Sequence, residues 1–288
     1  GVETPVVSMG GMNADKPHLV KAALENGINM LDTAHVYQNG NNETMIGEVV
    51  KDKDRSSFLL ATKIGAHKNR KTGMYPEDKT KQDFIDEFNV SLERLQMDYV
   101  DILYLHSISK KETLTFKPML DAFAQLKKEG RARYIGVTTH SNEPEVLRAA
   151  ADSDFFEVVL TAYNFQQDNV DEITEAIDYA AGKGLGIVAM KTMAGAFWDK
   201  ERTQPINTRA ALKWAMQNDN VHTSIPGMTT FDQLEEDVSV MSDITMTEEE
   251  RKDLRLAVTP GSTLYCQQCG ECLDQCVQGV DVPTAMRA

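Results

Sequence analysis

The chain has 288 residues, 41% of them hydrophobic and 26% charged, with a formal net charge of −14. That length fits one large barrel domain or two ordinary ones, and the composition is that of a globular chain. The acidic balance repels phosphate backbones, so nucleic acid is not an expected partner, and no apolar run approaches the ~20 residues that span a bilayer, so neither is a membrane. The opening Gly1-Val2-Glu3-Thr4-Pro5 has neither the basic start nor the apolar core of a signal peptide. A cytoplasmic location is expected, with a leader removed ahead of Gly1 as the open alternative.

In chain order, short runs rich in Val, Ile, Leu and Phe predict strands at residues 6–12, 28–34, 58–64, 100–106, 134–140, 158–164, 186–193 and 223–227. Their shortness and near-continuous apolarity suit strands buried on both faces. Amphipathic stretches lie between them. Residues 16–25 stop at Asn26-Gly27, a helix C-terminal signal. Residues 83–95 carry Phe84, Phe88, Leu92 and Leu95 at helical spacing. Residues 118–128 stop at Gly130, and residues 143–151 start behind Ser141-Asn142 with Pro144 in the first turn. Residues 170–181, 208–217 and 231–241 complete the set. This alternation predicts a (β/α)8 TIM barrel, which typically takes about 250 residues. A doubly wound sheet would show a G-x-G-x-x-G turn after its first strand, and none is present. The barrel is placed at residues 1–245. Residues 246–288 form a C-terminal extension that opens with an acidic helix at 247–256.

All four cysteines fall in that extension, as Cys266, Cys269, Cys272 and Cys276. The spacing C-x2-C-x2-C-x3-C is that of bacterial ferredoxins and predicts one [4Fe–4S] cluster. In two-cluster ferredoxins the fourth cysteine of such a run serves the other cluster. Here either Cys276 folds back to complete a single cluster or a non-cysteine ligand does. A tetrahedral zinc site takes the same thiolates and is the alternative.

In such a barrel, function sits at the C-terminal ends of the strands. Strand two ends in Leu31-Asp32-Thr33-Ala34-His35-Val36-Tyr37, strand three in Thr62-Lys63 and strand four in Leu105-His106. Asp32, Tyr37, Lys63 and His106 therefore converge on one mouth, a concentration of titratable groups that marks a site. The loops that would set specificity, 107–115 and 196–207, are short. They suggest an open pocket for a bulky or charged substrate, with Phe197 and Trp198 as its apolar wall.

D-T-A-x-x-Y, then T-K, then L-H resembles the catalytic tetrad of the aldo-keto reductase superfamily, and the cysteine tail resembles the branch of that family with a ferredoxin-like extension. The resemblance implies hydride transfer from a reduced nicotinamide to a small carbonyl substrate. Tyr37 would be the general acid, Lys63 would make its phenol more acidic, Asp32 would hold Lys63, and His106 would donate to the carbonyl oxygen. It also implies a cofactor site made of Gly11, Met12, Asp32, Thr138, Thr139, Met190, Lys191, Gly195, Gly227, Met228, Gln233 and Asp237. Thr138 and Thr139 stand where the family usually offers Ser and Asn, and Met190 stands where many members have a stacking aromatic. The adenosine segment has no Lys or Arg from residue 223 to 250, so NAD is expected over NADP. An external electron-transfer partner is expected if the cluster relays electrons. The alternative function is a nicotinamide-sensing regulatory or binding protein with little turnover and a structural four-cysteine tail.

Overall fold

A computed structural model describes residues 2–69 and 71–256. The cysteine tail lies outside the described residues. Residue contacts divide the chain into two units, Gly1–Met246 and Thr247–Ala288.

The first unit alternates β1 (Met9–Gly10), α1 (Pro17–Glu25), β2 (Met30–Asp32), α2 (Asn41–Val50), β3 (Leu59–Ile64), α3 (Lys81–Leu95), β4 (Val100–Leu105), α4 (Lys117–Lys128), β5 (Ala132–Thr139), α5 (Glu143–Asp152), β6 (Val158–Ala162), α6 (Val170–Gly182), β7 (Gly186–Met190), α7 (Thr208–Ala215), β8 (Thr223–Ser224) and α8 (Phe231–Ser242). The strands form one parallel sheet in sequential order β1 to β8. It closes on itself: Ser8 N–H donates to the Ser224 carbonyl at 2.7 Å and Gly10 N–H to the Pro226 carbonyl at 2.9 Å. The expected (β/α)8 barrel is thus the architecture of this unit. In the second unit the described part is α9 (Glu248–Asp253), opened by a Thr247/Glu250 capping box.

The structure corrects two expectations. β1 and β2 are cut back at both ends and β8 at its C-terminal end relative to the predicted runs, because apolar residues continue into the flanking loops. A helix that the sequence did not announce, α2, lies between β2 and β3. Its opening Asn-Gly-Asn-Asn reads as a turn, and its first turn buries polar Asn42 and Glu43 rather than an apolar pair. α3 shows the opposite case. A Thr80/Asp83 capping box starts it, and Phe84, Phe88, Leu92 and Leu95 are its buried stripe.

Alternation along the strands sorts side chains into two apolar layers. On β4, Leu103 and Leu105 pack outward against the helices. Ile102 and Tyr104 point into the barrel with Met30, Ala61, Val158, Leu160, Val188 and Ile225. Gly136 makes room for the Tyr104 ring, since a Cβ there would sit 2.5 Å from it. Continuing the inward register by two residues toward the strand ends gives Asp32 after Met30, Lys63 after Ala61 and His106 after Tyr104. The interior of the barrel therefore aims these three side chains at one mouth.

Candidate active site

Asp32 and Lys63 are fully buried and form an ion pair through Asp32 Oδ1. Lys63 Nζ also donates to the Thr33 carbonyl at 2.7 Å and lies 4.8 Å from the centre of the Tyr37 ring. The Tyr37 and His106 rings meet edge-on, with centres 5.9 Å apart. The four predicted residues are therefore in one place.

Burial drives the Lys63 pKa down, but Asp32 and Tyr37 outweigh it and hold the group above its ordinary range, so it stays an ammonium. Burial pushes Asp32 up, against the pull of Lys63. Tyr37 departs from expectation. Burial raises its pKa and the Asp32 charge adds to that, so the lowering by Lys63 is not the net result. The phenol is neutral and keeps its proton. Burial, then Lys63 and Lys68, lower His106 to about 3, so its imidazole is neutral at physiological pH. Its Nδ1 is buried without a partner among the described residues, which leaves Nε2 as the nitrogen available at the mouth.

A second set of buried groups holds this arrangement. Tyr37 opens a turn, Tyr37–Gly40, in which Gln38 and Asn39 are left-handed, with φ of 52° and 56°. Gly40 follows at φ 91°, and a Cβ there would collide with the Arg94 guanidinium. Gln38 Nε2 donates to the Met12 and Ala14 carbonyls at 3.2 and 3.1 Å. From α2, Asn42 accepts from Thr33 Oγ1 at 2.6 Å and donates to the Gly11 and Ala14 carbonyls, both at 2.8 Å. Glu43 accepts from Thr62 Oγ1 at 2.6 Å and pairs with Arg94 at 3.2 Å. Sequence reasoning misses Asn42 and Glu43 because it misses α2. The E-T and N-N pairs flanking the turn carry no signal of burial. His35, in the same run, meets Ser91 of α3 at 3.0 Å.

The expected cofactor residues divide. Met190 is half-buried at the inner end of β7. After it, Lys191, Ala194 and Ala196 hold φ of 58°, 48° and 66° around Gly195 at 82°. Such a run of left-handed non-glycine residues is uncommon and concentrates at ligand loops. The Thr138 hydroxyl already accepts from Ser107 N–H at 2.7 Å, and Thr139 is buried and donates to the Ser141 carbonyl at 2.9 Å. Gly11 is enclosed, since a Cβ there would meet Asn42 and the Asp32 carbonyl at 2.6 Å. Its glycine is required by packing. Met12 is exposed. Met228 is fully buried in the core between sheet and helices, so a contact with a ligand would come from its backbone, and Gly227 beside it is exposed. Gln233 folds onto its own loop and accepts from Thr229 N–H at 2.8 Å. Asp237 is buried, its Oδ2 has no partner among the described residues, and burial followed by Glu236 raises its pKa to about 8. Near neutrality the group is therefore largely protonated.

Residues 223–250 contain no Lys or Arg, but a cation from another loop reaches them. Lys16, just before α1, donates to the Thr229 carbonyl at 3.0 Å, because closure of the barrel places the loop after β1 beside the loop after β8. Trp198, expected as pocket wall, packs against Phe165 with ring centres 5.6 Å apart. A cavity of about 540 Å³ lies at the other end of the barrel, against the strand starts, lined by Leu59, Asp101, Tyr134, Val158 and His222. Asp101 there is already paired with Arg55 and Arg133, and none of the tetrad reaches it. Among the described residues no cluster of His, Cys, Asp and Glu is arranged to hold a metal, and no helix is long and apolar enough to cross a membrane.

Comparison with known proteins adds an independent line. The sequence profile described as "Aldo/keto reductase family" matches residues 12–211. L-galactose dehydrogenase of Arabidopsis thaliana is 27% identical over 256 residues, covering 78% of this chain and 77% of the plant protein. The holo form of aldo-keto reductase AKR11C1 from Bacillus halodurans superposes with a TM-score of 0.70 at 24% identity, over 89% of this chain and 94% of that one. An aldo/keto reductase from Klebsiella pneumoniae, solved in complex with NADP and acetate, gives 0.68 at 20% identity, over 87% and 90%. The two structures match in fold.

Proposed function

The chain belongs to the aldo/keto reductase family and is an NAD(P)-dependent oxidoreductase of that type; from this premise we propose that it reduces an aldehyde or ketone to an alcohol with Tyr37 as the proton donor. The observation that carries the reading is the meeting of Asp32, Lys63, Tyr37 and His106 at the inner ends of β2, β3 and β4.

When bound, the reduced nicotinamide supplies a hydride to the carbonyl carbon. The residues of the chain manage the oxygen. His106 Nε2 donates a hydrogen bond to it, and a single donor of this kind is worth about 2.7–4 kcal/mol where charge develops. Tyr37, neutral and half-buried, gives it a proton. Lys63 faces the Tyr37 ring and stabilises the tyrosinate left behind, while Asp32 and the Thr33 carbonyl fix the ammonium. The half-buried Met190 and the left-handed loop from Lys191 to Ala196 fit a nicotinamide and its pyrophosphate. The soft thioether packs on a ring, and left-handed backbone of this kind concentrates at ligand loops.

NAD remains the cofactor proposed for the adenosine segment, on the strength of its acidic helix α8, with Lys16 as the group that opposes it. NADPH binding at least tenfold tighter than NADH binding would reverse the assignment. For Cys266, Cys269, Cys272 and Cys276, a donor set made only of thiolates at ferredoxin spacing fits one [4Fe–4S] cluster, with zinc as the alternative. Iron, sulfide and zinc analysis after anaerobic purification decides between them. The central test is turnover. The protein should oxidise NADH or NADPH in the presence of a panel of aldehydes, and Tyr37→Phe should abolish this while still binding the nicotinamide. Equal inertness of both proteins would defeat the reading.

A further inference from the structure

Lys68 follows β3 by four residues, and the tetrad does not use it. Its Nζ donates to the His106 carbonyl at 2.6 Å and to the Gly65 carbonyl at 2.9 Å. It also lies 5.3 Å from the centre of the Tyr75 ring, and Tyr75 in turn donates to the same Gly65 carbonyl at 2.7 Å. The ammonium is thus fixed beside the residue that would polarise the substrate carbonyl, with one of its three N–H donors uncommitted.

What distinguishes Lys68 is the partner it lacks. Among the described residues no carboxylate lies within ion-pair distance of it. Glu87, the anion that acts on it, is engaged by Gly65 N–H at 2.9 Å and by Lys79 at 3.9 Å. Buried charges are ordinarily paired, because desolvation of an isolated one is unfavourable. Lys68 is half-buried and held by carbonyl dipoles alone. Burial drops it to about 8 from the usual lysine value, with Glu87 only partly opposing. Other basic side chains gather nearby. His67 and Lys68 both act on His106, and His140, which does so too, feels Lys191 on its other side. Glu143, the anion beside His140, is engaged by Gln167 at 3.3 Å. In a chain with a net charge of −14, an uncompensated cation at the mouth is out of keeping with the surface and in keeping with a ligand.

We propose that the substrate is a carbonyl compound bearing a carboxylate a short spacer away, and that Lys68 is the specificity-determining residue that receives that carboxylate. The inference rests on the carbonyl-reductase reading of the same mouth and extends it. It uses a group separate from Tyr37 and His106, which bind the reacting oxygen.

The test compares succinate semialdehyde with butanal, two four-carbon aldehydes that differ by the carboxylate, on the full-length protein. The wild type should favour the acid by about tenfold or more in kcat/KM, as expected for one charge-assisted hydrogen bond. In Lys68→Met the ratio should collapse toward one, mainly through KM for the acid, and Lys68→Arg should restore part of it. A purely structural role for Lys68 would weaken both aldehydes alike and leave the ratio standing, which overturns the proposal, as does a wild type indifferent to the carboxylate. Succinate binding measured by calorimetry separates the two levels. If neither aldehyde is turned over but succinate binds and Lys68→Met loses it, the anion site stands and the reductase reading falls. If succinate does not bind and neither aldehyde reacts, both fall.

Discussion

Asp32 and Asp237 are both 1% exposed, yet the barrel treats them differently. Asp32 sits at the end of β2 with the Lys63 ammonium against one oxygen, so burial and pairing act in opposition. Both carboxyls leave Oδ2 unpartnered among the described residues, but Asp237, on α8, has Glu236 nearby, so burial and repulsion act together and carry it to about 8. Burial raises both groups, but only Asp32 has a cation held against it to oppose the rise, while Asp237 is largely protonated near neutrality. Depth alone does not decide the charge of a buried group; its partner does. Lys68 extends the contrast to a cation that the protein leaves for a ligand to complete.

The comparison can be broken first at the phenol that the Asp32–Lys63 pair serves. Tyr37→Phe should lower kcat for carbonyl reduction by about 10²- to 10⁴-fold, the range of general acid catalysis, with folding unchanged by circular dichroism. Next in size is the pair itself. Asp32→Asn strands the Lys63 ammonium in the barrel, and urea titration should show a loss of about 3–5 kcal/mol.

Asp237 should behave in the opposite sense. Its folded pKa lies above the unfolded value of 3.8, so the folded state holds the proton more tightly. Its contribution to stability is complete below pH 3.8 and is lost as pH rises toward 8. Asp237→Asn should flatten that slope and raise the melting temperature at pH 8 while changing little at pH 4. The scale is about 2–4 °C per kcal/mol for a chain of this size. A variant less stable at both pH values would mean that the carboxyl has a partner the folded barrel supplies.

The smallest effect belongs to Tyr104, whose hydroxyl is buried without a partner beneath the tetrad. Tyr104→Phe keeps the ring that fills the space over Gly136 and removes only the unsatisfied oxygen. Stability should hold within about 0.5 kcal/mol or rise by about 1 kcal/mol.

Much of this molecule was legible before any coordinates. The apolar runs ending in Asp32, Lys63 and His106 announced strands, and the two-residue alternation that aims those side chains inward is a property of any strand. Tyr37 could be found because it follows Asp32 at a fixed offset. The helix Asn41–Val50 could not, because it buries Asn42 and Glu43, whose partners Thr33, Gly11, Thr62 and Arg94 come from other elements. That the Met228 side chain is core could not be read from its segment, since the burial of a loop side chain depends on what packs over it.

The sequence by itself determined the repeat of strand and helix, the barrel that follows from it, and which side chains end each strand, because these depend on backbone periodicity within a few neighbouring residues. Only the tertiary structure decided which charges meet. Lys16 reaches Thr229, Lys68 reaches His106 and Asp237 has no cation against it among the described residues. Those outcomes are set by sheet closure and strand register between residues far apart in the chain, and with them the dielectric around each ionisable group.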